Sequence, residues 1–288
     1  MKNYNCLSLI KTLGAAFLLT MGSVNNVVEA QGHLAQGDKI FRSLPLNLSL
    51  PANPQRYHIT TDYYNHTLAG DFIDKIRVTG DFTTNLPGNT EKWNNVRIAK
   101  SQKLLGEFGI GDSQAYIENF TYQPSDKILQ PDFFKDFPMD AVQVKNLVWD
   151  MAGIEAFAWA HLDSLKLNKT YEAKKMNGAV DLAGLGTFKN SNIQLTWKGI
   201  SMVNSQLCGL IDFRAMDNPL EIKMKMGDAD FNMKGRSHYW GTVYISLNQK
   251  VIEYTELLED VTMEIKMSNL PTSQYVYTTR YMKVEKIK

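Results

Sequence analysis

Val261-Thr262-Met263-Glu264-Ile265-Lys266-Met267 decides the fold class. Successive side chains of an extended chain point to opposite faces, so Val261, Met263, Ile265 and Met267 share one side and Thr262, Glu264 and Lys266 the other. One face is apolar and the other wet, the pattern of an antiparallel strand with a single buried side. The same alternation recurs on the way back along the chain. Val243, Ile245 and Leu247 run into Asn248-Gln249-Lys250, a hairpin turn. Ile222, Met224 and Met226 alternate with Lys223 and Lys225, and Ile193, Leu195 and Trp197 with Gln194, Thr196 and Lys198. Tyr275–Ile287 closes the chain with another β-rich run. In the first half, Arg56–Tyr64, Ile73–Thr84, Trp93–Ala99 and Ala115–Tyr122 are rich in β-branched and aromatic residues, which fit a half-buried pleated surface. Turn clusters separate them at Asn85-Leu86-Pro87-Gly88-Asn89 and Gly109-Ile110-Gly111-Asp112.

One segment follows a different period. Met139, Val142, Leu147, Met151, Ile154, Ala158, Leu162 and Leu165 recur close to every 3.6 residues, which predicts a helix near 138–166. Asp136 is placed as its N-cap and Pro138 in its first turn, where the missing N–H costs nothing. Asp140, Lys145, Asp150, Glu155 and Asp163 argue against a membrane span. A broad apolar stripe on a lone helix needs a sheet to cover it. The expected fold is therefore mainly β with one long α-helix, a large curled antiparallel sheet or partly closed barrel packed on the helix. Roughly ten strands curl or close rather than lie flat. Residues 57–288 form one β-rich domain in this reading, preceded by an extended, Pro-rich lead-in over 31–56. No internal repeat of fixed period stands out, which disfavours propellers and solenoids. In architecture alone, this resembles the half-barrels of periplasmic lipoprotein carriers and calycin-like barrels.

The first thirty residues carry a secretory signal pattern. Lys2 and Lys11 form a basic start, Leu13–Met21 an uncharged apolar stretch, and Val28-Glu29-Ala30 a cleavage site before Gln31. A membrane anchor needs roughly 20 apolar residues; Gly22-Ser23 and Asn25-Asn26 interrupt the run too early. Removing Lys2, Lys11 and Glu29 from 31 basic and 30 acidic residues leaves 29 of each. Nucleic-acid binding rests on excess positive charge against phosphates, so neither it nor an anionic surface is the expected partner. Cleavage also removes Cys6 and leaves Cys208 alone, so the mature chain rests on its apolar core rather than on an internal disulfide. The expectation is export, to a periplasmic or extracellular location, with no transmembrane span in the mature chain.

No catalytic or metal signature stands out. Gly111-Asp112-Ser113 looks like the Gly-Asp-Ser block of the serine esterases that share it, but no late Asp-x-x-His supplies a base, and a hydroxyl without a base is a poor nucleophile. The segment reads as a turn. His58 and Asp62 share a strand face with His66 nearby; with no Cys ligand and a loop-placed His66, these read as surface polar residues. His161 reads as a helix-boundary residue. Glu155 could be a buried carboxylate, but is read as facing solvent or pairing with a lysine. Cys208 reads as a small buried hydrophobe. No catalytic residue, metal ligand or cofactor is therefore assigned.

Thirteen Met, thirteen Phe, thirteen Tyr and five Trp make adaptable linings for apolar ligands as well as ordinary cores. Tyr239, Trp240 and Trp197 are the ligand-binding candidates. Tyr239 and Trp240 precede Gly241, and two adjacent strand residues cannot both face inward, so one of them is exposed or at a bend. The expected function is non-enzymatic binding of an apolar or amphipathic small molecule or lipid in the cell envelope. The alternatives are a secreted hydrolase acting on glycan or ester bonds, and a structural or partner-binding envelope protein. An enclosed apolar cavity, an open cleft between two facing carboxylates, or a filled core would separate the three.

Overall fold

The structure is a computed structural model that describes residues 53–226, 229–249 and 251–287, together with Lys39, Arg42 and Ser43. The signal segment expected over 1–30 and nearly all of the lead-in expected over 31–56 lie outside the described residues. The first long strands are β1 (Gln55–Thr67), β2 (Phe72–Leu86) and β3 (Thr90–Ser101), followed by the short β4 (Asp112–Ser113) and β5 (Phe120–Tyr122). The helix α1 (Val142–Trp159) comes next, then β6 (Thr170–Glu172), β7 (Gly178–Asp181), β8 (Gly186–Asn190) and β9 (Gln194–Val203). Four long strands complete the chain: β10 (Gln206–Met226), β11 (Ala229–Ser246), β12 (Ile252–Met267) and β13 (Gln274–Ile287).

All thirteen strands of the described residues belong to one antiparallel sheet that does not close into a barrel. The backbone order is β4-β3-β2-β1-β13-β12-β11-β10-β8-β7, with β5 beside β3, β9 beside β10 and β6 beside β9. The first and last strands meet near the middle, Ile59 opposite Val284 and Tyr63 opposite Arg280. Each wing is then a meander of short connections, as period-2 alternation favours.

The far wing forks within β10. Its first part, Gln206–Arg214, pairs with β9, and its later residues Leu220–Ile222 pair with β8. Between them the register against β11 slips at Ala215 to Asn218, with Asp217 at φ 63. Asn218 holds this bulge. Its fully buried amide donates to the carbonyls of Ala215 (3.0 Å) and Ser237 (3.1 Å) and accepts from the Ser191 N–H (2.8 Å). A bulge bends its strand and adds twist, which aims the two parts of β10 at different neighbours.

The helix is shorter than its apolar period suggests. It begins at Val142 after Ala141, with no side-chain cap from Asp136, and ends at Trp159. Residues 160–164 form a turn that carries Leu165 into the core beside β9, so the last two members of the stripe belong to a loop. The stretch Ala115–Tyr122 also departs from a continuous strand. Ala115–Ile117 is a 3-10 turn, and Asn119 at φ 60 breaks the run before β5. A short polar side chain tolerates that left-handed backbone where a β-branched one would not.

α1 lies across the inner face of the sheet and divides the space beneath it. On one side Val144, Leu147, Val148, Met151, Ile154 and Ala158 join Ile59, Phe82, Trp93, Val96, Met282 and Val284 in a filled core. Phe82 and Trp93 pack with ring centroids 4.8 Å apart. Each fully buried side chain of this size contributes about 1.5–3 kcal/mol. Gly241 sits where the far wing presses on the helix end. A Cβ there would lie 2.5 Å from the Phe213 ring, which stacks on Phe157 of α1 at 4.6 Å.

Candidate functional site

The other side of α1 is not filled. A cavity of about 510 Å3 lies between it and the later parts of the sheet. From the helix, Val142, Gln143, Asn146, Trp149, Asp150, Gly153 and Phe157 face it, spaced three and four apart as one helical stripe must be. From the sheet come Tyr63, Ile76, Tyr239, Leu257, Val261 and Met263, alternate residues of β1, β2, β11 and β12. The β7–β8 hairpin closes one end with Val180, Leu182, Leu185 and Phe188, and Ile128 and Leu129 close another. The Trp149 indole donates to the Ile128 carbonyl at 3.0 Å, which ties that segment to the helix. Most of the wall is therefore aliphatic or aromatic.

One polar cluster interrupts this wall. The Arg280 guanidinium on β13 donates through Nη1 and Nη2 to both carboxylate oxygens of Asp150 on α1, at 2.8 and 2.9 Å. Its Nε lies 2.8 Å from Glu259 on β12, an ion pair whose N–H is not aligned for a hydrogen bond. Ser237 donates to the other Glu259 oxygen at 2.5 Å. Arg280 also stands 5.8 Å from the Tyr63 ring. Burial works against the guanidinium's charge, but Asp150 and Glu259 outweigh it and raise the Arg280 pKa well above its ordinary value. Burial pushes the Asp150 carboxyl upward, opposed by Arg280 and reinforced by Glu259. Two carboxylates around one guanidinium leave a formal charge of −1 in a largely buried cluster.

The three residues singled out as ligand contacts are not brought together. Tyr239 lines the cavity, donates its hydroxyl to Asn190 at 2.8 Å, and has its pKa raised by burial and by the neighbouring Glu259 and Asp150. Trp240 follows it on the outer face and is 38% exposed. Trp197 is fully buried in the filled core, its indole donating to the Gly199 carbonyl at 2.8 Å. A molecule in the cavity would meet Tyr239 and neither tryptophan. Aromatic content and strand position alone could not separate these residues, because the side of the helix each one lies on depends on register.

The other residues weighed in the sequence have ordinary partners. His58 pairs with Asp81 at 2.9 Å rather than with Asp62, which is held by Arg77 at 2.7 Å. Ser113 is exposed on the short edge strand β4. Cys208 is fully buried, with its thiol pushed up to about 11 by burial and then by Glu253. Among the described residues no helix is long and apolar enough to cross a membrane.

Glu155 departs from its reading as a solvent-facing or lysine-paired residue. It is half-buried and hydrogen-bonded with Glu91, a carboxylate on β3 that is 4% exposed and also bonded to Tyr122. Burial raises the Glu91 pKa despite these bonds. This acid pair lies in the filled half, away from the cavity.

No family model matches the chain, and no curated protein matches it. Among solved structures, a chain described as "Lipid-protein interactions in lipovitellin" is similar over 83% of this chain and 25% of its own, at 11% sequence identity and a TM-score of 0.40. The present chain thus spans about a quarter of that one's length. A likeness of this size decides neither the fold nor the ligand.

Proposed function

We propose that this chain is an exported, non-enzymatic binding protein for an apolar or amphipathic small molecule, held between the inner face of the sheet and α1. The cavity carries the reading. A concave space of about 510 Å3, partly open to solvent, lies beside a core that is packed to the centre. Ligand pockets span roughly 300–1,000 Å3 and are mostly apolar with a few placed polar groups. The aliphatic walls with the single Arg280 cluster match that description. The hydrolase alternative asks for two carboxylates facing each other across a cleft; Asp150 and Glu259 converge on one guanidinium instead. Export rests on the signal pattern of residues 1–30, and N-terminal sequencing of the secreted or periplasmic protein should begin at or near Gln31.

Native mass spectrometry and solvent extraction of the purified protein test the binding reading. Co-purified apolar material is expected from the parent, along with uptake of a fluorescent apolar dye. Val261→Trp, which places an indole in the cavity, should lose both while remaining folded. A parent protein that emerges ligand-free and takes up no apolar dye or fatty-chain probe would overturn the reading.

A further inference from the structure

The polar cluster says what kind of head group the cavity accepts, provided that the cavity is a binding site as proposed above. The ionisable side chains on its wall are Asp150, Glu259, Arg280 and two tyrosines, a formal sum of −1. The three charged groups are not equally presented. The Arg280 side chain is 6% exposed, whereas those of Asp150 and Glu259 are 13% and 14% exposed. Of its five N–H donors, one on Nη1 and one on Nη2 go to Asp150, and the one on Nε is turned toward Glu259. The Tyr239 hydroxyl is spent on Asn190. A carboxylate oxygen takes up to two hydrogen bonds, so Asp150 and Glu259 keep acceptor capacity where they meet the cavity. Gln143 and Asn146, the neutral amides on the helix side, donate and accept alike and do not discriminate.

We infer that the ligand is an amphiphile whose head group donates hydrogen bonds and bears no negative charge, seated against Asp150 and Glu259 with its hydrocarbon part along the apolar walls. Amines and hydroxyls share this chemistry. A carboxylate head would meet two like charges in a partly buried site, where Coulomb repulsion is stronger than in bulk water. An ammonium head would complete the charge balance that Arg280 leaves one short.

Chain-matched competition on the parent protein tests this. Dodecylamine, dodecanol and dodecanoate are titrated at neutral pH against a bound fluorescent apolar dye. The amine and the alcohol should displace the dye at concentrations at least about tenfold below dodecanoate. The amine leading the alcohol would assign the site to cations; the reverse order would assign it to neutral hydroxyl heads. Gln143→Lys, a change at a half-buried helix position that adds a cation to the wall, should shift the order toward dodecanoate. If dodecanoate matches or outcompetes the other two on the parent, the head-group inference fails while apolar binding stands. If the dye never binds and none of the three does, both fall.

Discussion

The two sides of α1 use the same sheet to opposite ends. On one side the strands deliver Ile59, Phe82, Trp93, Met282 and Val284 against Leu147, Met151 and Ile154, and no space remains. On the other, the same strands two or more residues further along deliver Tyr63, Ile76 and Thr278, with Tyr239 and Val261 from their neighbours, and the space stays open. Composition does not explain the difference, since both sides are apolar. What differs is reach. Both sides carry large side chains, but on the open side the helix also presents Ala152 and Gly153, and the β7–β8 hairpin pairs with β10 beyond its fork. A helix laid on a curled sheet need not be packed equally on both flanks, and here one flank supplies stability while the other supplies room.

The largest effect should come from a charge placed on the filled flank. Ile154→Asp buries an unpaired carboxylate, at a cost of several kcal/mol, comparable to the whole stability of a typical domain. Soluble yield should collapse. The same aspartate at Leu182, half-buried at the β7–β8 turn, should cost about 1 kcal/mol or less. Equal yields and melting temperatures for the two variants would break the distinction between flanks.

Next in size is the open flank's own weak point. Arg280→Met leaves Asp150 and Glu259 facing each other without a cation, and should cost about 3–5 kcal/mol in chemical denaturation. Lys286→Met beside Glu253 is milder, because it leaves one carboxylate without its cation where Arg280→Met leaves two. Should Arg280→Met unfold at the parent's midpoint, the cluster would be unimportant to the fold.

Enlarging a side chain sharpens the comparison further. Val148→Phe overpacks the filled side, for a cost of about 1–3 kcal/mol. Val261→Phe enters open space and should change stability by less than about 1 kcal/mol, while reducing dye uptake. Loss of stability at Val261 equal to that at Val148 would mean that the cavity closes in solution.

The smallest effect is a pH dependence carried by the acid pair of the filled side. Glu91 holds its proton more tightly folded than unfolded, because burial raises its pKa. Its contribution to stability is therefore full below the ordinary glutamate value of about 4.3 and declines as pH rises toward the raised folded value. Glu91→Gln is neutral at every pH and removes that decline. The melting temperature of Glu91→Gln minus that of the parent should grow as pH rises from about 4.3 toward neutrality. A difference that stays flat would show that Glu91 is not the group responsible.

Much of the frame was legible in the residues themselves. Val261 to Met267 and Ile193 to Lys198 alternate because a strand's period is two, and the helical stripe from Val142 to Ala158 follows from a period of 3.6. Both are local facts that survive any tertiary arrangement. The same logic explains why the strand pair Tyr239 and Trp240 splits between faces. Local pattern was weaker wherever a single backbone angle mattered: Asn119 ended one expected strand, and the turn after Trp159 took Leu165 out of the helix.

Only the tertiary structure decided where the open space lies. Asp150, Glu259 and Arg280 come from a helix and two strands, the first and last 130 residues apart, and nothing near any of them in sequence marks the other two. The sequence determined that a curled sheet must cover a helix, because apolar faces seek one another whatever the register. It could not determine which flank fills, because a cavity is the volume left between elements. That volume depends on strand register, the Asn218 bulge and the reach of opposing side chains together.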